Sequence, residues 1–132
     1  CTGNVPIFRF GAWSHYQLGQ LRFNGTNQLI FTIYDWQCGP VLGTAVDDGE
    51  WHHVAVTSNN GVRTLYIDGV RVDANEGYVG GNNGYDASKI FIGGNNDGKY
   101  DSDCMTMKID NIRFYQRWLS DDEIKDIYNS EK

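Results

Sequence analysis

The stretch TLYIDGVRV, residues 64–72, decides the fold of this chain. β-Branched, aromatic and aliphatic residues flank Asp68-Gly69 on both sides, and that pair accepts the positive φ angles of a two-residue type I′ turn, whose twist matches the strands it joins. The stretch is therefore a tight antiparallel hairpin. The same texture continues outward from it. Short runs at residues 6–10, 20–23, 28–34, 51–57, 64–67, 70–72, 89–92 and 105–115 alternate apolar and polar side chains, and clusters of Gly, Asn and Asp separate them. This pattern predicts half-buried antiparallel strands. In the last run, Asp110 keeps step with Ile112 and Phe114, which directs its carboxylate toward the packed face, where a charge needs hydrogen bonds or a cation.

The period changes in LSDDEIKDIYNS, residues 119–130. Ser120 is placed to N-cap a helix while Glu123 reaches back to complete a capping box, and Leu119 staples against Ile124. Asp121 and Asp122 suit the positive end of the helix dipole, and Ile124, Ile127 and Tyr128 share one face. A short helix docked on the sheet follows, with its acidic residues assigned to capping rather than catalysis.

At 132 residues the chain fits one domain, residues 1–132, and can bury a core. Its net charge of −6 and scattered basic residues argue against nucleic acid as a partner. No apolar run approaches the roughly 20 residues that cross a bilayer, so no membrane span is expected, and the chain reads as a processed, secreted product. Cys1, Cys38 and Cys104 lack metal-ligand spacing and fit one disulfide plus an odd thiol. Asn24-Gly25-Thr26 is an N-glycosylation sequon, in keeping with an oxidising, extracellular setting.

Two histidines stand together in GEWHHVAVT, residues 49–57. Successive side chains of a strand point to opposite faces, so His52 and His53 do not converge on one ion. Trp51, His53 and Ala55 would share one face; Glu50, His52, Val54 and Val56 would share the other.

Function-bearing chemistry concentrates in two loops, GGNNGYDAS (80–88) and GGNNDGKYDSD (93–103). Sugars are held by planar amides and carboxylates that pair with hydroxyls and by an aromatic ring against the apolar sugar face. Asn82, Asn83, Tyr85 and Asp86 offer that chemistry in the first loop, and Asn96 and Tyr100 in the second, with Trp36 in YDWQCG as a further aromatic candidate. Calcium takes roughly six to eight oxygen ligands. Asp97, Asp101 and Asp103 are its candidate carboxylates, although their spacing is not that of an EF-hand.

The order DGEWHHVAVT, TLYIDGVRV, KIFIGG and MKIDNIRFYQRWLSDDEI resembles the laminin-G-like, concanavalin-A-like jelly-roll domains, a superfamily that includes the pentraxins. The resemblance spans residues 48–128 and implies an all-β, antiparallel two-sheet jelly-roll sandwich with a short C-terminal helix. It implies that Trp51, His52 and His53 are core and sheet residues. It also links the acidic position of IDNIRFY, Asp110, with a structural calcium found in some relatives. Family members usually open with a Phe-Asp-Gly strand and a second strand, neither of which is seen here, and VPIFRFG reads instead as an interior strand. The expectation is a sandwich completed by a missing N-terminal segment or by a second chain from the same precursor, disulfide-linked through Cys1.

These observations together predict a secreted, non-catalytic, lectin-like protein that binds glycans or glycoproteins, with calcium as the expected cofactor and an oligomer supplying avidity. A protein-adhesion module is the alternative. A glycoside hydrolase is a third reading, but it requires two carboxylates roughly 5 to 9.5 Å apart across the sugar. Glu50 is isolated, Glu76 is assigned to a loop and Glu123 to the helix cap, so no strand supplies such a pair.

Overall fold

The computed structural model describes residues 5–10, 19–23, 28–32, 41–76, 90–93 and 106–132. Eight strands form two antiparallel sheets. The first contains β1 (Val5–Phe10), β2 (Gly19–Phe23), β3 (Gln28–Thr32), β4 (Val41–Ala45) and β8 (Ile90–Ile92), in the order β4-β3-β2-β1-β8. The second contains β5 (Val54–Asn59), β6 (Val62–Ile67) and β7 (Val70–Glu76), in that order. Helix α1 (Asp121–Glu131) follows. The arrangement is the expected jelly-roll sandwich, and β1 is an interior strand flanked by β2 and β8.

Alternation builds the core. Leu21 and Phe23 of β2, Leu29 and Phe31 of β3, and Leu65 and Ile67 of β6 are buried between the sheets, with Val54, Val56 and Val72 packed against them. The opposite face of the five-stranded sheet is covered too, since Arg9, Arg22, Ile30 and Thr32 are all buried. On the outer face of β6, Tyr66 packs with Leu119 and Ile124 in a second apolar cluster that also takes in Ala55 and Ile127. That cluster seats the helix.

Both hairpins of the small sheet turn on two residues. Ile67 pairs with Val70 across Asp68 (φ 53°) and Gly69 (φ 74°), as the opening stretch requires. Asn59 pairs with Val62 across Asn60 (φ 48°) and Gly61 (φ 84°), a second turn with the same signature. Strand β4, absent from the expected runs, is short and interrupted by Gly43. A Cβ on Gly43 would lie 2.9 Å from Leu65 Cδ2 and 3.0 Å from Leu29 Cβ, so the residue that weakens the strand signal permits the close approach of β4 to the core.

The capping box forms as read. Glu123 N donates to Ser120 Oγ (3.3 Å), and Ser120 N donates to Glu123 Oε2 (2.9 Å). Arg117 adds a hydrogen bond to Glu123 Oε1 (2.6 Å) and, ahead of the Ser120 N–H, draws the Glu123 carboxyl down to about 2.

Four expectations change. Residues 106–115 form no strand: Asn111 adopts φ 52°, which breaks the alternation, and its N–H turns back to Asp110 Oδ1 at 2.8 Å. Asp110 is in consequence exposed rather than directed at a packed face. Strand β5 begins at Val54 rather than at residue 51, which leaves Trp51 outside the core with 66% of its surface exposed. Glu76 ends β7 instead of standing in a loop.

Gly69 serves two constraints. Its φ lies in the left-handed region, and an added Cβ would meet Tyr128 Cδ1 at 2.8 Å. Gly69→Ala is expected to destabilise the protein by about 1–3 kcal/mol through backbone strain and displacement of the helix. Urea unfolding followed by circular dichroism measures the loss.

Candidate functional site

The start of β5 is tied to the β6–β7 turn by one carboxylate. Asp68 Oδ1 accepts from His53 N (3.0 Å), Asp68 Oδ2 lies 2.8 Å from His52 Nδ1, and Asp68 N donates to His53 O (2.8 Å). His52 Nε2 lies 3.0 Å from Asp48 Oδ1, which also accepts from Glu50 N (2.9 Å). The imidazole therefore stands between two carboxylates, and its partners are Asp48 and Asp68 rather than Glu50. Such an arrangement favours the doubly protonated ring. Asp68, and then Asp48, hold His52 above its ordinary 6.5 against the opposing effect of burial. The Glu50 N–H, followed by His52, draws Asp48 below 3.8. The His53 ring takes no part in this pair: it packs 6.0 Å from the Tyr128 ring, and its buried Nδ1 has no hydrogen-bond partner among the described residues.

A groove of about 300 Å³ opens on the outer face of the small sheet. Val62, Thr64 and Tyr66, alternate residues of β6, form its floor, and the β5–β6 turn contributes Asn59 and Asn60. Arg71, directly opposite Tyr66 on β7, lines it with Trp118 and Asp121. Tyr66 donates its hydroxyl proton to Asp121 Oδ1 at 2.7 Å. Burial first, and then that bond to Asp121, raise the Tyr66 phenol above its ordinary 10.0, so it remains a donor. Trp118 is 46% exposed. An aromatic wall, amides, a cation and a carboxylate thus converge on one concavity, the combination that binds small polar ligands.

Sequence reasoning did not single out this groove, because its residues are far apart in the chain. The usable signal was the Asn60-Gly61 turn, which fixes the register of β6 and hence the face that Thr64 and Tyr66 share. The expected ligand residues Trp36, Asn82, Asn83, Tyr85, Asp86, Asn96 and Tyr100 lie outside the described residues. So do Asp97, Asp101 and Asp103, the sequon residue Asn24, and Cys1, Cys38 and Cys104. Asp110 is described, and its Oδ1 is engaged by Asn111 N. Among the described residues no group of three or more His, Cys, Asp or Glu is arranged to hold a metal ion, and no helix is long and apolar enough to cross a membrane.

Two sheets packed face to face, an outer helix and a polar-aromatic groove define a jelly-roll domain of the kind found in binding proteins and glycan-processing enzymes. Residues 4–125 match the concanavalin A-like lectin/glucanases superfamily (Laminin_G_3), and the chain belongs to that family. Among solved structures it is similar to an S-layer domain-containing protein from Clostridium thermocellum, residues 221–444, at 28% identity and a TM-score of 0.53. That likeness covers 97% of this chain and 64% of the other, so this chain spans somewhat under two thirds of its structural relative. A comparison with curated proteins finds no match.

The His52 arrangement makes stability depend on pH. A raised histidine contributes stability fully present below about pH 6.5 and lost as pH rises through its folded value. Melting temperature should fall across that window in the unaltered protein and stay nearly flat in His52→Gln, as scanning calorimetry from about pH 5 to about pH 9 would show. At the acid end, the Asp48 contribution is lost as pH drops from its ordinary 3.8 through its lowered value.

Proposed function

We propose that this protein is an extracellular, non-catalytic, lectin-like module that binds carbohydrate. Membership of a lectin and glucanase superfamily across residues 4–125 is the observation that carries this reading. The loops at residues 80–88 and 93–103 supply the amides, carboxylates and tyrosines of glycan recognition, with Asn82, Asn83, Tyr85, Asp86, Asn96 and Tyr100 as contacts and Trp36 as a stacking ring. Asp97, Asp101 and Asp103 are the carboxylates proposed to hold calcium. Glu123, one of the carboxylates weighed for hydrolysis, is instead bound by Ser120 N and Arg117 in the helix cap. An extracellular site accords with the family and with the S-layer domain-containing relative. Oligomerisation supplies avidity to individually weak sites.

One observation favours a protein partner as well. Ile109, Ile112, Phe114 and Tyr115 are exposed on the segment 106–115, which has no strand ladder. Exposed apolar side chains on a segment that belongs to neither sheet suit docking of another polypeptide. A second chain, disulfide-linked through Cys1, is the partner proposed for it. The same strip would serve a protein-adhesion module.

Glycan-array binding in millimolar calcium, repeated in excess EDTA, tests the main reading. Binding that EDTA abolishes is the expected result. Binding indifferent to EDTA removes calcium from the proposal and keeps the lectin, whereas no binding in either condition rejects the carbohydrate reading in favour of protein adhesion. Native mass spectrometry with and without reductant reads the partner chain, and a lone chain in both conditions rejects it.

A further inference from the structure

We infer that the groove on the outer face of β5–β7 is a second binding site, shaped for a single uncharged hexopyranose residue. This inference rests on the carbohydrate reading and adds to it a site built from residues other than those of 80–88 and 93–103.

Size comes first. At about 300 Å³ the groove stands at the lower limit of small-ligand sites. One sugar ring therefore fits, or the terminal residue of a longer glycan. The chemistry of the walls then selects the ligand. Trp118 is half exposed, and its backbone carbonyl, not its indole, accepts from Arg117 Nη1 (3.2 Å). Its ring is free to meet the C–H face of a pyranose.

Arg71 presents its donors to the groove with no hydrogen bond or ion pair among the described residues. Asp121 presents an acceptor: Tyr66 occupies Oδ1 and thereby orients the carboxylate, which leaves Oδ2 for a ligand hydroxyl. Asn59 and Asn60 bring amides, each able to donate and accept. Sugar hydroxyls also do both, so adjacent hydroxyls match this set.

Charge excludes the acidic sugars. Arg71 and Asp121 balance one another within the groove, so no net positive charge remains to compensate the desolvation of a ligand carboxylate. Asp122 follows Asp121 in the first turn of α1, and the whole chain carries −6. A uronic acid or sialic acid is therefore disfavoured at this face.

The test uses the whole chain and saturation-transfer NMR with methyl glucoside, galactoside and mannoside, and with methyl glucuronide as the charged comparison. The uncharged glycosides should show binding, with glucuronide weaker. Trp118→Ala should weaken the best glycoside about tenfold through loss of stacking, and Arg71→Gln should weaken it while circular dichroism stays unchanged. Since both side chains are exposed, folding is expected to survive; Asn59→Ala provides a third probe if either variant unfolds. Tighter binding of glucuronide overturns the assignment to uncharged sugars. If the array shows glycan binding that neither Trp118→Ala nor Arg71→Gln alters, the groove is overturned and the lectin reading stands. If no glycan binds the unaltered protein, both fall.

Discussion

The carboxylate of Asp68 joins three parts of the molecule that the chain visits separately. One oxygen receives the His53 backbone N–H and the other faces the His52 ring, while the same residue supplies the first position of the β6–β7 turn. Through Gly69, that turn lies against Tyr128 of the helix. The start of β5 and the hairpin are thus referenced to one side chain, and the helix to the glycine beside it. An Asp-Gly turn gives a strong hairpin signal on backbone grounds alone, yet here the Asp side chain has a second task that Asn would perform less well, because it faces an imidazole favoured as a cation.

The fold was largely legible because its signals are local. Two-residue turns, alternation in β1, β2, β3 and β6, and the Ser120-Glu123 capping box each depend on neighbours within a few positions. The misreadings fall where local pattern and backbone conformation part. The run expected at 105–115 carries strand-like apolar residues, but Asn111 takes a left-handed conformation, and no local rule separates it from an ordinary strand asparagine. Strand β4 was lost for the opposite reason: Gly43 lowers strand propensity, while its value lies in a contact with Leu29 and Leu65 that only the assembled sandwich displays. Trp51 was assigned to the core by analogy and by a period that starts three residues too early.

The site was less legible than the fold. Loop composition draws attention to Asn, Asp and Tyr clusters, whose residues fall outside those described. The groove instead collects side chains from a turn, two strands and the helix approach, none of which is unusual in its own segment. Asp121 shows the difficulty well. As a first-turn acidic residue it is fully accounted for by the helix dipole, and only the 2.7 Å bond from Tyr66 reveals that it also faces a concavity.

The two sheets are closed by very different spans of chain. Two-residue turns link β5, β6 and β7, whereas the larger sheet sets Phe8 of β1 beside Ile92 of β8, with most of the sequence between them. Loop-closure entropy is therefore concentrated in the larger sheet, since distant pairings must be ordered before their contacts contribute. The small sheet and its docked helix form a compact, locally wired unit. The β1–β8 pairing is accordingly the contact whose loss releases the most chain entropy, while the small sheet is held by closures of two residues each.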